Sequence, residues 1–241
     1  SDLIAPTETL QGDTLLLHGC CHNPTGIDYT PEQWDGIAAL LADSPVLPVI
    51  DLAYQGLGQG MEEDAYGVRA VIDAAPEALI AQSCDKNFGL YRDRVGALYV
   101  LAREASAIDR ILSNGHALAR AAWSMPPDHG AAAVRLILRD AKLTESWLDE
   151  LEQMRTRIRQ VRTRLADAGR IGGIDLAPLG RQNGMFATLP LGKAQIEALR
   201  DEHGIYMAGS GRINVAGLTT DNIAKFTAAL AEVAAIPADV G

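Results

Sequence analysis

The sequence predicts an α/β protein in which a mostly parallel sheet is flanked by helices and followed by a small α+β domain. Three observations predict this class. Strand-like and helix-like runs alternate at the start of the chain, a stretch of helical periodicity follows, and short runs of both kinds alternate near the end. The 241 residues exceed the usual size of one domain, so we expect two, at residues 1–153 and 154–241.

The first half of the chain alternates apolar runs with helical patterns. Strands are predicted at residues 14–20, 45–51, 77–83 and 94–101, and helices at residues 30–43 and 63–75. Thr30 is the expected N-cap of the first helix, Pro31 occupies its first position, and Gln33 completes a capping box. Strands joined by helices in this way form a largely parallel sheet, because the crossovers return the chain to the same edge.

The second half is helical before it becomes mixed. Helices are predicted at residues 105–123, 129–141 and 143–168, with Gly169 as the stop signal of the last. In this long helix the basic run RTRIRQVRTR is interleaved with Ile158, Val161 and Leu165, so we expect a solvated arginine face opposite a packed stripe. Further strands are predicted at residues 184–190, 205–210 and 212–217, and further helices at residues 193–204 and 219–233.

Composition and charge exclude several function classes. Hydrophobic residues make up 48% of the chain, which suits a globular core, and the formal net charge of -10 disfavours a nucleic-acid surface. No apolar run is long enough to cross a bilayer, and the first residues lack the pattern of a secretion signal. The cysteines Cys20, Cys21 and Cys84 are best explained as reduced thiols, which favours a cytoplasmic location.

Polar residues that follow the predicted strands are candidates for a ligand site, because open α/β sheets bind ligands at the carboxyl ends of their strands. These positions supply Lys86, Asp51, Tyr54, Arg94, Ser83 and Asn23. A lysine amine forms a Schiff base with a carbonyl when its surroundings favour the neutral amine. Pyridoxal phosphate offers such a carbonyl, and it also needs a carboxylate for its ring nitrogen, donors for its phenolic oxygen, and arginine and hydroxyl groups for its phosphate. The candidate set matches those needs in kind.

Each candidate also has a purely structural explanation. Lys86 alone could be a surface lysine, Asp51 could cap the loop after its strand, and Tyr54 could be ordinary packing. Asn23 precedes a proline and is a good turn former in any protein. The run HGCCH at residues 18–22 lacks the usual ligand spacing of a zinc site, so no metal is predicted.

Six motifs occur in a fixed order along the chain. They are HGCCHNPTGIDYTPEQW, DLAYQGLGQG, SCDKNFGLYRDRVG, ARAAWSMPPDHGA, RQNGMF and GSGRINVAG. With these motifs the chain closely resembles the class I aspartate and aromatic-amino-acid aminotransferases, which are fold-type I pyridoxal-phosphate enzymes. The resemblance runs from about Leu10 to Val233 and corresponds to the C-terminal portion of such an enzyme, namely part of the large cofactor-binding domain and then the small domain. The long segment that precedes the first motif in this family has no counterpart here.

The resemblance implies roles for the residues around the cofactor ring. Lys86 would bind pyridoxal phosphate covalently and, once released by the substrate, would move a proton between the substrate α-carbon and the cofactor C4′. Asp51 would pair with the pyridine nitrogen and keep the ring an electron sink. Tyr54 and Asn23 would hydrogen-bond the phenolic oxygen.

The resemblance also implies which residues bind anionic groups. Ser83 and Arg94 would hold the cofactor phosphate, and Arg92 would be a solvated charge. Arg212 would clamp the substrate α-carboxylate with its planar fork, a geometry that lysine cannot reproduce. Arg120 would reach across a dimer interface to the distal carboxylate of a dicarboxylic substrate, which implies a homodimer. Its alternative explanation is an exposed helix residue.

These implications predict a pyridoxal-phosphate-dependent transamination between an amino acid, aspartate or aromatic, and a 2-oxo acid. The same cofactor supports decarboxylation and β-elimination, and the Arg212 clamp argues against decarboxylation because it retains the carboxylate. The alternative from another class is a truncated, non-catalytic remnant of such an enzyme that acts only with a partner or a missing segment.

Overall fold

The computed structural model describes residues 12–237, and it divides them into two compact units. The first unit comprises residues 12–19, 29–55 and 62–148, and the second comprises residues 20–28, 56–61 and 149–237. These units are discontinuous along the chain, whereas the predicted domains at residues 1–153 and 154–241 are continuous segments and stay a prediction.

The first unit contains a four-stranded sheet in the order β1-β2-β3-β4. The strands are β1 (Thr14–His18), β2 (Leu47–Leu52), β3 (Ala78–Ser83) and β4 (Gly96–Leu101). The first three are parallel, as predicted, but β4 runs antiparallel to β3. No helix carries the chain back across the sheet between β3 and β4, and Cys84 N donates to Val95 O at 2.8 Å to close this connection at one edge. A chain that turns back at the same edge must pair antiparallel.

Helices of the first unit begin and end near their predicted bounds. They are α1 (Pro31–Ala42), α2 (Tyr66–Ala74), α3 (Ala105–Trp123), α4 (His129–Arg139) and the start of α5 (Ala141–Asp167). The predicted capping box of α1 is present: Gln33 N donates to Thr30 Oγ1 at 3.3 Å, and Thr30 N donates to Gln33 Oε1 at 2.9 Å. A short 3-10 turn, Glu63–Ala65, precedes α2 and occupies the beginning of that predicted helix.

The second unit combines short hairpins with helices. Its elements are the rest of α5, β5 (Arg170–Ile171), β6 (Ile174–Asp175), a 3-10 helix (Ala177–Arg181), β7 (Phe186–Thr188), α6 (Lys193–His203), β8 (Arg212–Asn214), a second 3-10 helix (Val215–Gly217) and α7 (Ile223–Val233). The strand predicted at residues 212–217 is therefore shorter than expected, because its second half forms the second 3-10 helix. Strands β7 and β8 pair antiparallel. The strand predicted at residues 205–210 is wrong, because residues 205–208 form no regular structure and a turn follows them, in which Gly211 N donates to Ala208 O at 3.0 Å.

The long helix α5 confirms one half of its predicted pattern and corrects the other. Ile158, Val161 and Leu165 are buried as expected. The prediction that the arginines of this run form a solvated face is wrong for Arg162, whose side chain is 2% exposed. Residues four apart share a helix face, so Arg162 lies on the same face as Ile158 and is buried with it.

Among residues 12–237, no helix is long and apolar enough to cross a membrane.

Candidate active site

The loop that carries Lys86, residues 84–89 and called here the Lys86 loop, follows β3 and is held from two sides within the first unit. On one side, Asn87 Nδ2 donates to Gln55 O at 3.2 Å. On the other, Trp147 Nε1 donates to Asn87 O at 2.7 Å, and the ring of Trp147 stacks on Phe88 with centroids 4.3 Å apart. Because Gln55 follows β2 and Trp147 belongs to α5, two separate stretches of chain fix this loop.

Lys86 lies beside Tyr54. The Nζ atom of Lys86 is 4.9 Å from the centroid of the Tyr54 ring, within the range of a cation–π contact, and Tyr54 is buried. Asp51 is the second-last residue of β2, is half-buried, and lies opposite Ala81 of β3 in the parallel register. Parallel strands present their carboxyl ends at one edge, so the structure brings Asp51, Tyr54 and Lys86 to the same edge of the sheet.

Ser83 and Arg94 both contact Asp85, Ser83 at its backbone and Arg94 at its carboxylate. Asp85 N donates to Ser83 Oγ at 3.1 Å, and Arg94 Nη1 forms an ion pair with Asp85 Oδ2. Arg94 Nη1 also donates to Tyr91 O at 3.2 Å. The Arg94 backbone has φ of 53°, in the left-handed region that non-glycine residues adopt only when surrounding contacts stabilise it. The two predicted phosphate ligands therefore both contact Asp85.

The same carboxylate acts on the neighbouring thiol. Cys84 has a raised pKa, mainly because burial disfavours the thiolate and further because the charge of Asp85 repels it. A thiol of this kind is a poor nucleophile at neutral pH.

The last predicted residue of the first unit, Arg120, is exposed in the final turn of α3. Its predicted role across a dimer interface stays a prediction.

Asn23 and Arg212 belong to the second unit, where they meet. Arg212 Nη1 donates to Asn23 Oδ1 at 3.2 Å, and the guanidinium carbon of Arg212 lies 5.1 Å from the centroid of the Phe186 ring. The cation–π contact and the hydrogen bond together hold the guanidinium in place. A planar guanidinium held in this way is suited to bind a carboxylate through two parallel hydrogen bonds.

Asn183 ties the loop that carries Asn23 to the segment before β7. Asn183 N donates to Gly26 O at 2.8 Å, and its side-chain Nδ2 donates to Asp28 Oδ2 at 3.1 Å. The other oxygen of Asp28 accepts a hydrogen bond from His22 N at 2.9 Å. Both ends of the loop around Asn23 are therefore fixed.

Arg162 holds that same segment from inside the second unit. Its guanidinium donates to the carbonyl oxygens of Asn183 at 2.8 Å, Gly184 at 2.9 Å and Phe186 at 2.6 Å. Burial lowers the pKa of Arg162 to about 10, against the opposite influence of Cys21 and Asp28. The side chain still carries its charge at neutral pH, so its donors stay available to the backbone.

Sequence reasoning missed four residues that support the Lys86 loop or the surroundings of Asn23 and Arg212. They are Asp85, Asn87, Trp147 and Arg162. The position of Asp85 directly before the candidate lysine could have marked it as part of the site. The helical spacing between Ile158 and Arg162 could have marked Arg162 as buried. No pattern in the sequence pointed to the hydrogen bond between Trp147 and Asn87, which lie 60 residues apart.

Comparison with known proteins identifies the family of the chain. A family described as aminotransferase class I and II matches residues 2–230. The chain is 50% identical to the tyrosine aminotransferase of Rhizobium meliloti over 214 residues, which covers 89% of this chain and 55% of that protein. It is 45% identical to the aspartate aminotransferase of Escherichia coli over 228 residues, which covers 94% of this chain and 58% of that protein.

A solved structure gives the same result for the fold. The aromatic-amino-acid aminotransferase from Burkholderia pseudomallei, described as covalently bound to pyridoxal phosphate, matches with a TM-score of 0.85 and 39% identity, over 91% of this chain and 56% of that chain. The present chain thus spans little more than half the length of the relatives that it matches. By the extent of the family match and by these identities, the chain belongs to the aminotransferase class I and II family.

Proposed function

We propose that this chain is part of a pyridoxal-phosphate-dependent aminotransferase that moves an amino group between an amino acid and a 2-oxo acid. The observation that carries the proposal is the contact between Lys86 and the buried ring of Tyr54 at the carboxyl edge of the sheet, in a loop fixed from two sides. The family membership supports the same reaction class.

The donor set of the first unit fits the cofactor. Lys86 offers an amine for covalent attachment, and Asp51 offers a half-buried carboxylate for the ring nitrogen. Ser83 and Arg94 offer a hydroxyl and a guanidinium for the phosphate, and Tyr54 offers a phenol for the phenolic oxygen. When bound, pyridoxal phosphate supplies a carbonyl that condenses with amines and a ring that withdraws electrons from the substrate α-carbon.

The residues of the chain supply binding and proton transfer. Lys86 would hold the cofactor, and as a free amine it would accept the proton of the substrate α-carbon and donate it in the second half of the transfer. Asp51 would pair with the ring nitrogen, where a carboxylate favours the protonated form. In the second unit, Asn23 is the proposed second donor to the phenolic oxygen.

Arg212 is the proposed ligand of the substrate α-carboxylate. Nη1 is bound to Asn23, and among the described residues no hydrogen bond from Nε or Nη2 to a protein acceptor is present. The two nitrogens Nε and Nη2 thus remain to donate to a carboxylate. The names of the relatives, which include tyrosine, aromatic-amino-acid and aspartate aminotransferases, support aspartate or aromatic amino acids as substrates.

Arg120 is proposed to bind the distal carboxylate of a dicarboxylic substrate in a neighbouring subunit, so that the enzyme is a cytoplasmic homodimer. Helix α3 has no buried residue, and Leu118 and Trp123 on it are 72% and 67% exposed. Large apolar side chains at such exposure favour a partner surface. Sedimentation velocity of the purified chain tests the dimer, and a monomer at all concentrations would contradict it.

The test of the cofactor site is reductive trapping. The chain has four lysines, Lys86, Lys142, Lys193 and Lys225. Incubation with pyridoxal phosphate, reduction with borohydride and peptide mapping should place the adduct on Lys86. Lys86→Ala should abolish this adduct, whereas Lys142→Ala, which changes an exposed lysine of α5, should leave it intact. Labelling spread evenly over the four lysines would refute the assignment.

The second candidate is a non-catalytic remnant of such an enzyme that acts only with a partner or a missing segment, and the products of the reaction distinguish the two. Trapping on Lys86 together with 2-oxo acid formation from aspartate or tyrosine favours the enzyme. Trapping without any 2-oxo acid formation favours the remnant.

A further inference from the structure

Asp85 is a buried carboxylate directly before Lys86. Its side chain is 2% exposed, and its Oδ2 is paired with Arg94 Nη1. Its Oδ1 is buried and has no hydrogen-bond partner among the described residues. A buried carboxylate with one oxygen unsatisfied is stable only beside a positive charge, so Asp85 depends on Arg94.

Arg94 faces two environments. Its side chain is 75% exposed, although Nη1 contacts the buried carboxylate of Asp85. A phosphate that approaches from solvent therefore meets a guanidinium that already neutralises one anion. The two anions repel each other across the guanidinium, because charges separated by a few ångströms interact strongly when one of them is shielded from water.

We propose that Asp85 competes with the cofactor phosphate for Arg94 and thereby weakens phosphate binding at the Lys86 loop. The inference rests on the proposed function, because it takes Arg94 as the phosphate ligand. Asp85 holds Arg94 when no phosphate is bound and opposes the anion when it binds. Ser83, the other proposed phosphate ligand, accepts a hydrogen bond from the backbone nitrogen of Asp85, so both proposed phosphate ligands contact this residue, Arg94 through the carboxylate and Ser83 through the backbone.

The first experiment titrates inorganic phosphate into the full chain and its Asp85→Asn variant by isothermal titration calorimetry. We expect the Kd for phosphate to fall at least tenfold in the variant. Asp93→Asn is the matched control, since it removes the same charge from the residue next to Arg94. The carboxylate of Asp93 contacts His129 at 2.9 Å and not Arg94. Equal Kd values for the wild type and Asp85→Asn, weaker binding by the variant, or binding by neither protein would each overturn the proposal.

Two further measurements protect this test from a folding defect. Asp85→Ser is a second variant, and thermal unfolding reports whether each variant is folded. In the wild type itself, phosphate should shift the NMR signal of the Arg94 Nε–Hε group, because the anion changes its ion pair with Asp85. No shift at saturating phosphate would count against the competition.

Trapping experiments separate this inference from the proposed function. Pyridoxal, which lacks the phosphate, should be trapped on Lys86 to the same extent in the wild type and in Asp85→Asn. A gain for pyridoxal as large as the gain for pyridoxal phosphate would mean that Asp85 acts on Lys86, and would refute the competition. If pyridoxal phosphate is trapped on Lys86 but phosphate affinities are equal, only the inference fails. If phosphate binds more tightly to the variant but neither protein is trapped at Lys86, only the proposed function fails.

Discussion

Arg212 Nη1 lies 3.2 Å from Asn23 Oδ1, across 189 residues of sequence. The bond joins strand β8 to the loop that follows β1, and the same guanidinium lies over the Phe186 ring in a cation–π contact. An arginine held by an amide on one nitrogen and by a ring on its face has its remaining donors directed in one plane. This arrangement is the basis of the first prediction.

Arg212→Lys should weaken the binding of a carboxylate ligand at least tenfold, because an ammonium cannot form two parallel hydrogen bonds. Calorimetric titration with succinate measures the effect. Arg200→Lys is the control, since Arg200 is in the same unit and pairs with its own exposed neighbour Asp201. Similar succinate affinities for Arg212→Lys and the wild type would show that this guanidinium is not the carboxylate ligand.

Arg162→Lys should lower the free energy of unfolding by about 2–4 kcal/mol, because several buried carbonyl oxygens lose their donor. Urea denaturation followed by tryptophan fluorescence measures it. Arg164→Lys, two residues along the same helix and exposed, should change the free energy of unfolding by less than about 0.5 kcal/mol. Equal losses in the two variants would mean that the hydrogen bonds of Arg162 to the segment before β7 contribute little.

Local signals predicted much of the fold because those signals are physical rules of short range. Helix α3 was predicted at its observed bounds from periodicity, and Thr30 was predicted as a cap from the capping-box spacing. The direction of β4 could not be predicted, since an apolar run predicts a strand but does not show from which edge of the sheet the chain enters that strand. The strand predicted at residues 205–210 failed because a turn closes this segment onto β8.

The candidate site shows the same division. The residues after β2 and β3 could be selected from the sequence because parallel strands end at a common edge. The carboxylate of Asp85 on Arg94, and the carbonyl oxygens around Arg162, depend on how loops fold back, which no spacing reports. From its charge alone, Arg162 was expected to be exposed to solvent. The side chain is buried instead, because backbone carbonyl oxygens accept its hydrogen bonds.

Cys84 should react slowly with iodoacetamide at pH 8, since burial and the charge of Asp85 both raise its pKa and reduce the thiolate fraction. Asp85→Asn removes only the smaller, electrostatic cause, so the rate should rise about two- to tenfold and stay below that of glutathione. Peptide mapping of the alkylated protein measures the alkylation of Cys84 separately from that of Cys20 and Cys21. A rate unaffected by Asp85→Asn, or raised as much by Asp93→Asn, would contradict this explanation.

Gly67→Ala should destabilise the first unit, whereas Gly36→Ala should stabilise it. A Cβ atom at Gly67, in α2, would overlap the indole of the buried Trp34, and a well-packed ring can move aside only at a cost of about 1–3 kcal/mol. Gly36 lies in α1 with open space around its position, so alanine there should add about 0.4–1 kcal/mol by restricting the unfolded chain. Both are glycine-to-alanine changes inside helices, and urea denaturation of the pair therefore isolates the effect of packing against Trp34. Shifts of the same sign would show that helix propensity, rather than this close contact between α1 and α2, determines the outcome.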